Sequence, residues 1–424
     1  MVSGGVPNPA ASGGAVTAWT VMSQLLAEDH EVGVCVLRDP ELYDPTDVPA
    51  ERRIEQVRAL GASVVEVVSG STAFFRSRPR GLGARLSRAW RPRDEELYPN
   101  LVDRDAVTEA VSDLGPDVVF VYHFEALAAS RGLDRPRFAA LGDPPHLSAL
   151  YRFRDELPRP RALRRIVRLQ AQARHQPRLL VRYLNECAAR GAFAAHHAAW
   201  LRRKGVADCE YLRTPVPDPV GDRWRSERDR LRPEKPRVLL LGHLQGIVTL
   251  DGLRVFAREI LPRLEAALGA DGFEARIVGG YEPPSRLARA LDRPAVRFLG
   301  HVEEAGEEFG SASVMLVPNS IPLGVRVRIL TGFSYGACVV SHRANMRGIP
   351  ELEHGRNALL GGSGAELARA ALDAIADDGL RAQLEEGGRR TYEESFAPPV
   401  AAGNIASTLE RIAQPRAANA AASA

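Results

Sequence analysis

Short apolar runs recur along the chain, each separated from the next by a helical pattern. Val118-Val-Phe-Val-Tyr122, Val238-Leu-Leu-Leu241, Val314-Met-Leu-Val317 and Cys338-Val-Val340 are examples. Strands that are apolar on both faces cannot face water, so they belong to parallel sheets covered by helices on both sides. The same reading predicts strands over residues 31–37, 62–68, 138–141, 273–278 and 296–299. It predicts helices over residues 14–27, 51–60, 103–114, 253–268, 326–335, 365–375 and 400–413. The alternation breaks over residues 216–236, where Val-Pro-Asp-Pro-Val leads into a charged run with Pro233 and Pro236. The expected architecture is therefore α/β, with two doubly wound Rossmann-like domains facing a cleft. The first covers residues 1–215 and the second residues 237–395, and a last helix, 396–413, returns to the first. In such sheets ligands bind at the carboxyl ends of the strands, which places the site in the cleft.

The opening of the chain is unusual for this plan. Gly4 and Gly5 follow only three residues, too few for a first strand of about 5–6 residues. Either the start is truncated or the first residues form a stub. Of 424 residues, 45% are apolar and 26% charged, which excludes a disordered or fibrous chain. No run approaches the roughly 18 apolar residues of a membrane span, and Met1-Val-Ser-Gly-Gly does not read as a secretory leader. Cys35, Cys187, Cys209 and Cys338 lack metal spacing and read as core residues of a protein in the reducing cytoplasm. A net charge of +3 argues against a general nucleic-acid binder. All basic residues but Lys204 and Lys235 are arginines, a GC-rich bias that weakens any single arginine as a functional clue.

Several short motifs fall where strands end. Ser12-Gly13-Gly14 precedes a helix, so it is either a phosphate cradle or a flexible turn. Gly242-His243-Leu-Gln245-Gly246 follows the second domain's first strand, as a phosphate loop or a capping turn, and Gly279-Gly280 ends the next strand. The stretch from Val296-Arg-Phe-Leu-Gly-His301 to Asn357-Ala-Leu-Leu360 is the most informative. It holds Val317-Pro-Asn319-Ser-Ile-Pro-Leu323-Gly324, then Val325-Arg326-Val-Arg328-Ile-Leu-Thr331-Gly-Phe-Ser-Tyr-Gly336, then Ala337-Cys-Val-Val-Ser341 and Gly348-Ile-Pro-Glu351.

This order of strand, loop, helix, glycine stop and strand resembles the donor domain of GT-B glycosyltransferases, specifically family 4, the group 1 transferases. The resemblance covers residues 237–412 and continues more weakly into the first domain. It implies a sugar transferred from a nucleotide-sugar donor to an acceptor hydroxyl, with retention of configuration and without a metal or other cofactor. The family carries two glutamates eight positions apart, one on the donor sugar and one on the ribose hydroxyls. Their positions are occupied here by Leu323 and Thr331, and the loop after Leu241 lacks the family's Arg and Lys. Arg326 and Arg328, beside a helix N-terminus, are the candidates to hold the diphosphate in compensation. Their two-residue spacing predicts one in the cleft and the other toward solvent or the sheet edge. Leu141-Gly-Asp143-Pro-Pro-His146 stands where family members carry a His–Asp pair facing the donor sugar, making Asp143 and His146 candidates for substrate positioning or proton transfer. His123, after Tyr122, is another candidate at the cleft edge.

His196-His197 have no ligand-spaced carboxylate or Cys and read as surface or packing residues. Residues 76–93 carry seven arginines and no acid, and residues 152–182 carry ten. These are either solvated helix faces or a peripheral contact with anionic lipid at the inner membrane face. Two alternatives to the transferase remain: another GT-B chemistry, such as a nucleotide-sugar epimerase or pseudo-glycosyltransferase, and a non-catalytic nucleotide-sugar binder.

Overall fold

The computed structural model describes residues 1–9, 13–38, 50–68, 104–147, 150–151, 163–302 and 304–414. The basic stretch 76–93, the start of the stretch 152–182 and Ser12 lie outside the described residues.

The first sheet comprises β1 Val2–Ser3, β2 Gly33–Arg38, β3 Ser63–Val68, β4 Val119–Tyr122, β5 Arg137–Leu141, β6 Ala189–Ala192 and β7 Glu210–Tyr211. Its order is β3-β2-β1-β4-β5-β6-β7, and every pairing is parallel. The second sheet comprises β8 Arg237–Leu241, β9 Glu274–Val278, β10 Val296–Gly300, β11 Val314–Val317, β12 Val339–His342 and β13 Leu359–Gly361, in the order β10-β9-β8-β11-β12-β13. The helices that matter for the site are α1 Gly13–Ala27, α2 His123–Ala129, α3 Ala195–Arg203, α4 Trp224–Leu231, α5 Ile247–Val255, α6 Val327–Ser334, α7 Asp378–Ser395 and α8 Pro398–Ala413.

β1 is a two-residue stub, yet it holds the central place in its sheet. Val2 pairs with Cys35 on one side and Val121 on the other, and both Val2 and Ser3 are buried. Two flanking ladders fix what its length cannot.

Residues 216–236 are not a loose tether. α4 lies within them, although Trp224-Arg-Ser-Glu-Arg-Asp-Arg-Leu231 has almost no apolar face. Arg228 anchors it. Its guanidinium donates to the carbonyls of Phe309, Gly310 and Ala312 at 3.1, 3.2 and 3.0 Å and to Glu385 Oε1 at 2.6 Å. Arg389 of α7 grips the same segment through Asp218 at 2.6 Å. The linker is thus docked on the second domain.

α8 starts at its two prolines, which fit the first turn because its N–H groups have no intrahelical acceptor. Ala402, Ile405, Ala406 and Leu409 then pack with Val21, Met22 and Leu25 of α1 in one apolar cluster of the first domain. Burying Ile405 and Leu409 contributes about 1.5–3 kcal/mol each. All four cysteines are free and buried. Among the described residues no helix is long and apolar enough to cross a membrane.

Candidate active site

The carboxyl ends of both sheets meet along the segment 322–328, which runs into α6. Gly324 has φ +65°, a left-handed conformation suited to glycine. A Cβ there would lie 2.3 Å from Asp143 Oδ1, so Asp143 of the first domain abuts the backbone of the second. Gly13, at the start of α1, leaves room for the Val327 side chain in the same way, since its Cβ would stand 2.8 Å from that side chain. Leu323 is buried, and Val325 packs into apolar clusters of both domains.

The two arginines point in different directions, and both are half-buried. Arg326 precedes the helix, with φ −87° and ψ 82°, so helical directions do not apply to it, and the first domain covers it. Its Nε and Asp143 Oδ1 are both enclosed without a hydrogen-bond partner. Burial pushes the Asp143 carboxyl up, opposed by the Arg326 charge. Burial likewise lowers Arg326, opposed by Asp143.

Arg328 points the other way, under the loop after β8. It donates to the Leu241 carbonyl, and Nη2 lies 3.4 Å from Thr249 Oγ1 on α5. A Cβ on Gly242 would be 2.7 Å from Arg328 Nη1, so the missing side chain makes way for the guanidinium. Burial first, and Arg326 second, bring its pKa down to about 9, which leaves it charged at neutral pH. The loop after β8 lacks a cation of its own, and α6 supplies one from beneath.

Around this cation the loops are tied together. Gly242 N donates to Val278 O at 3.0 Å and Gly279 N to Gly300 O at 2.8 Å. Gln245 Nε2 reaches Glu282 O at 3.3 Å. His243 and His301 are exposed on the rim. Asn319 is buried and donates to Asn345 Oδ1 at 3.1 Å, bracing the loop after β11. The Thr331 hydroxyl is 3.2 Å from Val327 O within its own helix.

In the first domain, His123 has φ +73° and sits at the end of β4 as the first residue of α2. Its ring is wedged between Gly14 and Gly142, where added Cβ atoms would stand 2.8 and 2.7 Å away. Burial lowers its pKa, opposed by Glu125. Gly14 therefore accommodates an imidazole, and Gly13 a valine.

Of the pair Asp143 and His146, Asp143 is the member that meets the second domain. His146 is buried with its ring 4.8 Å from Trp200. The neighbouring histidine pair starts α3, at the carboxyl end of β6. His197 is buried, with Nδ1 3.9 Å from Asp143 Oδ1. His196 bridges the domains, with Nδ1 2.7 Å from Arg347 O and Nε2 3.1 Å from Pro322 O. The sequence concealed this because β6, Ala-Arg-Gly-Ala, is not an apolar run. Recognising β6 as a strand would have placed both histidines at a carboxyl end. Among the described residues no group of three or more His, Cys, Asp or Glu could hold a metal ion.

Burial brings His146 down to about 4 and His197 to about 3. An unfolded histidine takes up its proton near pH 6.5. As pH falls, the unfolded chain therefore binds protons that the folded chain refuses. The stability present above pH 6.5 is lost progressively down to those two values. The melting temperature is expected to fall from pH 7 to pH 4, with a shallower slope for His146→Leu. An equal slope in both proteins would contradict the burial argument.

Two parallel sheets with their carboxyl ends opposed across this segment are the arrangement of GT-B glycosyltransferases. Within that class, residues 235–377 match the family described as glycosyl transferases group 1. A glycosyltransferase from Rickettsia africae is similar over 95% of this chain and 95% of its own, with 11% identity and a TM-score of 0.61. HepE from Anabaena, solved with UDP and glucose, is similar over 97% of this chain and 98% of its own, with 15% identity and a TM-score of 0.65. Sucrose-phosphate synthase from Thermosynechococcus elongatus is similar over 97% of each chain, with 14% identity and a TM-score of 0.61. No curated protein sequence matches the chain.

Proposed function

We propose that this protein transfers a sugar from a nucleotide sugar to an acceptor hydroxyl, with retention of configuration and with the donor as substrate rather than as a bound cofactor. The observation that carries the reading is the placement of Arg326 and Arg328. One guanidinium is enclosed at the meeting of the two sheets and the other under the Gly242 loop, both at the start of α6. A departing nucleoside diphosphate gains negative charge as the glycosidic bond breaks. Fixed cations and helix N–H groups in a water-poor cleft stabilise that charge without reorganising. On this reading Asp143, which abuts Gly324 and interacts with Arg326, contacts the sugar. On this reading His123, whose pKa burial lowers, holds a hydroxyl on the first domain's side. A UDP-sugar is the donor class we favour, since HepE was solved with UDP and with UDP-glucose.

Leu323 and Thr331 favour a second reading, a binder that no longer turns over. Leu323 cannot accept a hydrogen bond from a sugar, and the Thr331 hydroxyl lies against its own helix. Incubation with UDP-, GDP- and ADP-sugars, reading nucleoside diphosphate release and the anomeric configuration of the product, separates the two. Release from a UDP-sugar with a retained product is the expected result. Binding without release would establish the second reading, and absence of binding to every donor would refute both.

A further inference from the structure

Among the described residues, four that are not glycine have positive φ: Asp29, His123, Asp208 and Tyr281. Aspartate and histidine tolerate this region, whereas a bulky tyrosine at φ +69° is an outlier. Such backbone strain, of order 1–3 kcal/mol, persists only where the surroundings enforce it. Tyr281 follows β9 directly after Gly279-Gly280, and its ring lies 4.6 Å from that of His243 at an interplanar angle of 33°. His243 belongs to the neighbouring loop after β8, whose Gly242 rests on the Arg328 guanidinium. The backbone bond from Leu244 N to Gly280 O, 3.3 Å, ties the two loops together. The strained turn therefore holds an aromatic ring on the rim of the second domain, against the loop that covers the Arg328 guanidinium. His243 is exposed and Tyr281 half-buried.

We propose that Tyr281, braced on His243, forms the stacking surface for the nucleobase of the donor and sets the affinity for the nucleoside part of it. The proposal rests on the reading of the cleft as a nucleotide-sugar site. A diphosphate over Arg328 leaves its nucleoside to extend along the same rim, where a planar base meets a planar ring. Stacking of this kind carries affinity without requiring hydrogen bonds to a particular base edge.

The test is calorimetric titration of the full chain with UDP and with inorganic pyrophosphate. Tyr281→Gly removes the ring and relaxes the turn, because glycine adopts positive φ freely. Tyr281→Phe keeps the ring. Tyr281→Gly is expected to weaken UDP roughly tenfold or more, the scale of a lost stacking contact, and to leave pyrophosphate unchanged. Tyr281→Phe is expected to bind both like the parent. Equal UDP affinity in Tyr281→Gly and the parent overturns the proposal, as does an equal loss of UDP and pyrophosphate. If the parent binds pyrophosphate but no nucleoside diphosphate, the stacking surface is refuted while the cation site stands. If the parent binds neither, the reading of the cleft falls and the proposal with it.

Discussion

Arg328→Met is expected to weaken nucleoside diphosphate binding by about 1.5–3 kcal/mol, the range for a hydrogen bond to a charged group. Arg328 is a half-buried cation whose described contacts are a carbonyl and a hydroxyl, Leu241 O and Thr249 Oγ1. Its pKa, about 9, records how poorly the folded chain compensates that charge. An anion laid over the Gly242 loop would supply the compensation, and methionine fills the same space without charge. The variant should therefore lose affinity while its unfolding free energy changes by no more than about 1 kcal/mol, one hydrogen bond's worth. Calorimetric titration with UDP and a denaturation curve read the two quantities separately. Parental affinity in the variant would place the diphosphate elsewhere and remove the main support for the donor site.

The largest loss of stability is expected from Arg228→Ala, about 3–5 kcal/mol, as for breaking a desolvated ion pair by removing one partner. Arg228 and Glu385 are 9% and 8% exposed. The guanidinium also satisfies three carbonyls at the end of the helix and turn before β11. Alanine would strand all of these. Arg381 Nε, 3.9 Å from Glu385, is too distant to replace it in a hydrogen bond. The loss should fall in the unfolding transition of the second domain, followed in urea. An Arg228→Met, Glu385→Leu double variant should recover the part owed to the unpaired carboxylate but not the part owed to the three carbonyls, because apolar residues of similar volume need no charged partner. A loss under about 1 kcal/mol in the single variant would show that water reaches the pair.

The second domain was legible because its strands announce themselves. Val238-Leu-Leu-Leu241, Val314-Met-Leu-Val317 and Cys338-Val-Val340 are buried on both faces, and apolarity on both faces is a property of composition. β1, β6 and β7 were not legible for the converse reason. β1 has two residues, and β6 includes Gly191, where a Cβ would stand 2.5 Å from Leu212 Cγ; neighbours hold them in place. α4 escaped notice because a buried guanidinium, not an apolar stripe, fixes it. Of the candidate residues, the sequence singled out Arg326, Arg328 and Asp143 and expected the two arginines to diverge, but it did not show that one leads to Asp143 and the other to the Leu241 carbonyl. Arg326 precedes the helix, so the helical period does not govern it. Tyr281 carries no mark in the sequence at all, since its distinction is a backbone angle. The histidine pair was visible as letters, but its position depended on a strand that composition hides.

Val325 belongs to the apolar packing of both domains, and this bears on how the cleft exchanges its contents. Parting the domains exposes that side chain, a penalty of at most about 1.5–3 kcal/mol. The same movement admits water to Asp143 Oδ1 and Arg326 Nε, each of which recovers part of a desolvation penalty of about 1–3 kcal/mol. The two contributions are similar in size and opposite in sign, so the balance passes to the polar bonds between the domains, those of His196 to Arg347 O and Pro322 O and those of Tyr211 and Arg213 to Glu351, which opening must exchange for water. A substrate that bonds to either face of the cleft competes with those same groups, and only its difference in affinity for the two arrangements can shift their populations.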